Sequence, residues 1–279
     1  MRRLLSAHRR GAGFTLVEMT LVLGVAALLL GMAAKGLTLL DQSKGDQLVL
    51  QVRQMESQLN EYHRVHQRWP GDCDGNGRID SSVLEFAAMS AMAESAKSAR
   101  AALFDFTATS PVAATGTGDI TPVSGNGCPA ALAAAYIGSV VTISTVPTWI
   151  SDFNVPYNDL KLAGQLSTAK PNRIAATHAA GDFMAVTKLY LDGASLLNSD
   201  PAFNAIVLFN VPVSFARKLA VAMDGFDGAE AYKGRVRRLR LNGSGFETNW
   251  LNNSVSNETQ DSLINVAYFF DQQPLPQTY

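Results

Sequence analysis

An α+β fold, with a long N-terminal α-helix packed on a head built from an antiparallel β-sheet and extra helices, is what the sequence predicts, on three observations. Residues 14–34 form an apolar run with a single charge, Glu18. From Leu48 the pattern turns amphipathic, with Leu48, Val52, Met55, Leu59, Tyr62 and Val65 recurring every three or four residues. Beyond residue 140 short β-like runs recur, the mark of a sheet.

The apolar run holds 21 residues from Phe14 to Ala34. As a helix it is roughly 31 Å long, enough to cross the hydrocarbon core of a bilayer. Arg2, Arg3, Arg9 and Arg10 precede it with no acidic residue among them, which places that end in the cytoplasm. Two plainer readings compete. One is a secretory signal cut near Ala33 or Ala34; the other is a simple membrane anchor with an incidental glutamate. Against the first, the run is longer than an ordinary signal core and contains a carboxylate. A lone carboxylate in a bilayer costs on the order of 2.5–3.5 kcal/mol on insertion scales, so Glu18 calls for a partner.

The order Gly13-Phe14-Thr15-Leu16-Val17-Glu18, with the basic stretch before it and the apolar run behind, resembles the N-terminus of the type IV pilin and pseudopilin family. The match covers roughly the first 50 residues. It implies a pilin-like organisation: a leader at 1–13, an N-terminal helix at 14–69 with 14–34 in the membrane, and a head at 70–279. It implies that a membrane prepilin peptidase cuts Gly13–Phe14 and N-methylates Phe14, so the chain is a substrate and not a catalyst. It also implies a partner for Glu18, the new amino group of Phe14 on a neighbouring subunit. Such a buried pair serves register and recruitment more than raw affinity. The expected location is the inner membrane, with the head in the periplasm and later in a pilus or pseudopilus. Expected partners are other pilin or pseudopilin subunits, the peptidase and inner-membrane lipid. One departure bears on the role: major pilins usually carry a proline late in the apolar half of this helix, and none lies between Phe14 and Arg68. Gly24, Gly31 and Gly36 are the remaining weak points. A minor subunit fits better than an abundant one.

The formal net charge is −1; without the four leader arginines 19 basic side chains face 24 acidic ones, giving −5. A mildly acidic protein has no global electrostatic reason to bind nucleic acid, and none is expected as a partner. Cys73 and Cys128 are the only cysteines. In a periplasmic head they are expected to pair, closing about 56 residues at a gain of roughly 4 kcal/mol in the chain-entropy model.

Asp72-Cys73-Asp74-Gly75-Asn76-Gly77-Arg78-Ile79-Asp80 alternates oxygen-bearing side chains and has glycine sixth, most of a calcium loop of the EF-hand kind. In that reading Asp72, Asp74, Asn76 and Asp80 are ligands, with the carbonyl of Arg78 assisting. The closing twelfth position is Val83, and Glu85 comes two residues late, where Ser82-Val83-Leu84-Glu85 reads as a capping box. The other reading is an Asx/Gly turn after Pro70-Gly71, which pilin relatives often carry here. Both stay open: no cofactor is required, and calcium is the one candidate.

Residues 82–104 read as an alanine-rich helix and 107–127 as a long polar loop. Strands are expected at Val140–Ser144, Trp149–Phe153, Met184–Leu191, Ala205–Asn210, Arg235–Leu241 and Leu263–Phe270, and a helix from Pro212 to Met223 before the turn Asp224-Gly225-Phe226-Asp227-Gly228. Val211-Pro212 through Gly234-Arg235 also resembles a C-terminal pattern of some prepilin-like proteins. The helices are expected on one side of the sheet. Arg235, Arg237, Arg238 and Arg240 read as a solvated edge strand protected by charge; DNA capture lacks an interleaved aromatic platform. His63 and His66 are three apart on the helix and are expected to be solvated. No GxSxG, HExxH or phosphate-binding glycine loop occurs, so no enzymatic activity is expected; the alternatives of other classes are a calcium-stabilised adhesin head on a pilin stalk and a membrane-tethered periplasmic enzyme.

Overall fold

The computed structural model describes residues 15–72, 75–79, 97–104, 153–190, 202–225, 230–240, 245–252 and 257–274. The chain divides into two units, 1–43 and 44–279, each described by itself. Helix α1 (Leu16–His66) runs uninterrupted for 51 residues, as expected where no proline removes a backbone donor. It stops three residues short of the expected Trp69. Gln67 takes a left-handed φ of 56° and donates its N–H to the carbonyl of His63 at 2.8 Å, closing the last turn before Pro70 is reached.

In the larger unit the order is α2 (Lys97–Leu103), α3 (Asn154–Leu162), α4 (Asn172–Ala176), β1 (Met184–Tyr190), β2 (Ala202–Pro212), α5 (Val213–Asp224), β3 (Val236–Leu239) and β4 (Leu263–Phe269). The four strands pair antiparallel throughout in the order β1-β2-β4-β3. Four of the expected strands are therefore present, as is the helix behind Pro212, which serves as its N-terminal flanking residue. The expected strand at 140–144 and most of that at 149–153 lie outside the described residues. Phe153 itself is a buried turn residue leading into α3. Of the expected helix at 82–104 only 97–104 is described, helical over Lys97–Leu103, and the loop at 107–127 lies outside the described residues. The pairing of β2 with β4 shifts register between Leu208 and Val211, where Asn210 has a φ of 50°, the mark of a bulge.

The amphipathic stripe does what its spacing requires. Leu48, Val52, Met55, Leu59 and Tyr62 are all buried in the same core as the sheet. Each such side chain contributes roughly 1.5–3 kcal/mol by leaving water. Val65 is the exception, at 56% exposed. Polar pegs hold the helix in place: Arg53 donates to the carbonyl of Ala222 at 2.8 Å, and Gln51 accepts from Ala179 N–H at 2.7 Å. Asn204–Phe209 and Ile264–Phe269 are buried at every position. Successive strand residues point to opposite faces, so both faces of the central strands are covered, not one as expected. Phe246, edge-on to Phe269 at 5.9 Å, belongs to that second cover.

Candidate functional site

Of the N-terminal site residues, Glu18 is described, while Gly13 and Phe14 lie outside the described residues. The only helix among the described residues long and apolar enough to cross a membrane includes Leu16–Ala33, which has a mean hydropathy of 2.2 and no buried residue. Glu18 sits in its first turn, in contact with Thr15. Glu18 Oε2 accepts from the Thr15 N–H at 2.9 Å and the Thr15 hydroxyl at 3.0 Å, while Thr15 Oγ1 faces the Glu18 N–H at 3.2 Å. This reciprocal arrangement is a capping box, which satisfies orphan donors at a helix start. The sequence signal, threonine three residues before glutamate ahead of an apolar run, was present at 15–18 and was missed. Glu18 therefore has a local role beside any intersubunit one.

The aspartate loop is held from three sides. Asp72, 1% exposed, accepts from the N–H of Asn76 at 3.1 Å and of Gly77 at 2.9 Å. Asn76 Oδ1 accepts from the N–H of Arg78 at 2.7 Å. Asn204 on β2 then imitates a strand neighbour: it accepts from Ile79 N–H at 2.9 Å and donates to the Gly77 carbonyl and to Asp271, each at 2.9 Å. The Arg78 guanidinium reaches Asp271 at 3.1 Å; burial nevertheless pushes the Asp271 carboxyl up from its ordinary value. These bonds are the geometry of the turn reading. Asp74, Asp80, Cys73 and Cys128 lie outside the described residues, so the full calcium ligand set and the disulfide are not in view. Among the described residues no three or more His, Cys, Asp and Glu side chains are grouped to hold a metal.

The arginine strand requires a correction. β3 is an edge strand, as expected, but it is not solvated: Arg237 is fully buried and Arg238 is 6% exposed. Arg237 lies 5.3 Å from the ring centre of Phe246 and 5.5 Å from that of Phe269, and donates to the carbonyls of Gly234 and Pro274. Arg238 makes a two-pronged pair with Glu258 at 2.7 and 2.8 Å and also reaches the Trp250 carbonyl. Arg235 reaches Glu56 on α1 and the Phe269 carbonyl. The side chains of Arg235, Arg237 and Arg238 are thus engaged with the protein itself. Cation–π contact and charge-assisted bonds make such burial tolerable.

The turn-forming Asp224 also organises the strand that follows. Its carboxylate caps the start of β3 by accepting from Arg235 N–H at 2.8 Å and Val236 N–H at 3.2 Å. Asp227 lies outside the described residues. His63 stacks on Trp69 at 4.2 Å and His66 lies against Tyr62 at 4.3 Å, so aromatic neighbours orient the two imidazoles.

Sequence reasoning also missed a buried polar centre. Arg100 on α2 pairs with Asp182, which also accepts from the Asn210 amide at 2.6 Å and the Phe183 N–H at 2.8 Å. His178 stands beside it, with Nε2 on the carbonyl of Phe209 at 2.9 Å and Nδ1 accepting from Ala180 N–H at 3.2 Å. Burial, chiefly, lowers its pKa to about 4. No periodic signal marks these residues: Arg100 comes from α2, His178 and Asp182 from the segment between α4 and β1, and Asn210 from β2. Burial keeps this imidazole neutral, and two hydrogen bonds hold it beside the Arg100–Asp182 pair.

No family model matches the chain, and neither a curated protein nor a solved structure was found to match it. The class that the geometry defines is an α+β protein with one apolar N-terminal helix suited to a membrane and a sheet-based unit behind it.

Proposed function

We propose that this protein is a pilin-like minor subunit of a type IV filament, either a type IV pilus or a type II secretion pseudopilus. Prepilin peptidase removes residues 1–13 and methylates Phe14; the N-terminal helix then assembles with those of other subunits. The observation that carries this reading is the exposed apolar helix Leu16–Ala33 with a single carboxylate in its first turn, placed behind Gly13-Phe14 and four arginines. A helix bearing an acid in lipid is costly without a partner charge, and the amine freed at Phe14 is the nearest new one. The head would be periplasmic and would act mechanically, by presenting a surface or capping a fibre.

The test is the mass of the mature N-terminal peptide from cells that carry prepilin peptidase. A methylated phenylalanine at position 14 is expected. A first residue beyond Ala34 would make the segment a cleaved signal sequence and end the proposal.

A further inference from the structure

The loop Asp72–Ile79 holds a constellation that the assembly reading does not use. Asn76 is followed by Gly77, whose lack of a side chain leaves its backbone nitrogen open to the neighbouring amide. That nitrogen donates its N–H to Asp72 Oδ2 at 2.9 Å, and the Asp72 residue is 1% exposed. The Asn76 amide oxygen in turn accepts from the N–H of Arg78 at 2.7 Å. The ring closed by this last bond contains both Asn76 Cγ and Gly77 N, so the electrophile and the nitrogen belong to one hydrogen-bonded turn. Three elements of an acyl transfer thus meet within one turn: a base on the nucleophile's proton, a nucleophile next to its carbonyl, and a donor on the oxygen where negative charge develops. Asn204 and Asp271 brace the turn from β2 and the C-terminal segment, so the arrangement is preorganised.

We infer that Asn76–Gly77 is a self-modification site, at which Asp72 promotes deamidation of Asn76 through a succinimide. The Asp72 carboxylate takes the Gly77 N–H proton as the nitrogen bonds to Asn76 Cγ. The bond from Cγ to the side-chain nitrogen breaks, and that nitrogen leaves as ammonia with the proton from Asp72. Water then opens the ring at one carbonyl or the other, leaving aspartate or isoaspartate at 76. The net change is water in and ammonia out, without oxidant, metal or second protein. The product carries a new negative charge between Asp72 and Asp80. This inference stands on the loop alone and is independent of the pilus reading.

The test uses the full chain in detergent micelles at neutral pH and physiological temperature. Trypsin releases the peptide from Trp69 to Arg78, and mass spectrometry follows its deamidated fraction with time. The reference is the same chain unfolded in urea, in which Asn76–Gly77 and the chain's other Asn-Gly pairs, Asn126–Gly127 and Asn242–Gly243, react without tertiary help. In the folded chain Asn76 is expected to react roughly tenfold faster than when unfolded, as preorganisation of base and nucleophile requires. Asp72→Asn should abolish that excess. A folded rate at or below the unfolded rate overturns the inference without any substitution. An excess rate that survives in Asp72→Asn overturns it equally, because the base would then be something else.

Discussion

Arg100 and Asp182 meet as a two-pronged ion pair sealed from solvent, with Nε to Oδ1 at 3.1 Å and the arginine side chain fully buried. The guanidinium also lies 4.9 Å from the ring centre of Phe209. The pair ties α2 to the loop before β1, so two segments far apart in sequence depend on one contact. Arg100→Ala is therefore expected to lower stability by about 3–5 kcal/mol, since it strands a buried carboxylate. Urea unfolding followed by far-UV circular dichroism measures it, and a loss under about 1 kcal/mol, the size typical of an exposed pair, would reduce this contact to a surface one.

His178 makes stability depend on pH in a defined direction. Its folded pKa is lowered to about 4, by burial first, against an ordinary 6.5; the Phe209 carbonyl and Asp182 oppose the shift, while Lys97 and Arg100 support it. The unfolded chain therefore binds a proton below about pH 6.5 that the folded chain refuses until about pH 4. The contribution is fully present above pH 6.5 and falls away as pH drops to 4, by about 3 kcal/mol in all. His178→Gln should flatten the difference between pH 6.5 and 4 relative to the parent protein. Equal slopes for the two proteins would remove His178 as the source.

Gly234 has a φ of 81°, and a Cβ added there would collide with Asp224 Oδ2. The same carboxylate caps β3 through Arg235 and Val236. Gly234→Ala combines backbone strain with displacement of that cap, and a loss of about 1–3 kcal/mol is expected. Thermal unfolding of the variant checks it; an unchanged Tm would mean that the turn relaxes freely.

The capping box at 15–18 allows the observed local role of Glu18 to be tested apart from the proposed role in assembly. Glu18→Gln keeps a side chain that can close the box, yet removes the charge that the assembly reading needs. Cleavage at Gly13–Phe14 should proceed normally, while incorporation into filaments drops roughly tenfold or more, the scale set by an unpaired intramembrane partner charge. Thr15→Ala, which loses about 1 kcal/mol of capping, should assemble far better than Glu18→Gln. Quantifying subunits in sheared filaments decides between them, and equal behaviour of the two variants would assign Glu18 to capping alone.

Calcium stabilisation of the loop would lower the melting temperature of the full chain in EDTA and restore it with excess calcium. Superimposable melting curves would remove calcium and leave the turn held by Asp72, Asn76 and Asn204.

Legibility in the sequence followed periodicity. The stripe from Leu48 to Tyr62 named the buried face of α1, because burial on one face leaves its period in the chain, and short β-like runs named four strands, the two central ones being buried on both faces. Proline at 212 marked a helix start for the same local reason. The short helices α3 and α4 went unread: Asn154–Leu162 puts Asn154, Asn158 and Asp159 in the interior, so polarity misreports their burial. Arg237 and Arg238 misled in the same way, as charge on a strand reads as exposure until Phe246, Phe269 and Glu258 are placed around it.

What the chain alone determined is the set of properties written in neighbouring residues: a span of lipid-length apolar helix, one acid at its start, and a second half with a single buried face. Strand order, the pairing of Arg100 with Asp182, the clasp of Asn204 on the 72–79 loop and the neutrality of His178 were decided by tertiary structure. Each joins side chains tens of residues apart, and no local spacing encodes which distant partner will satisfy a polar group once water is excluded.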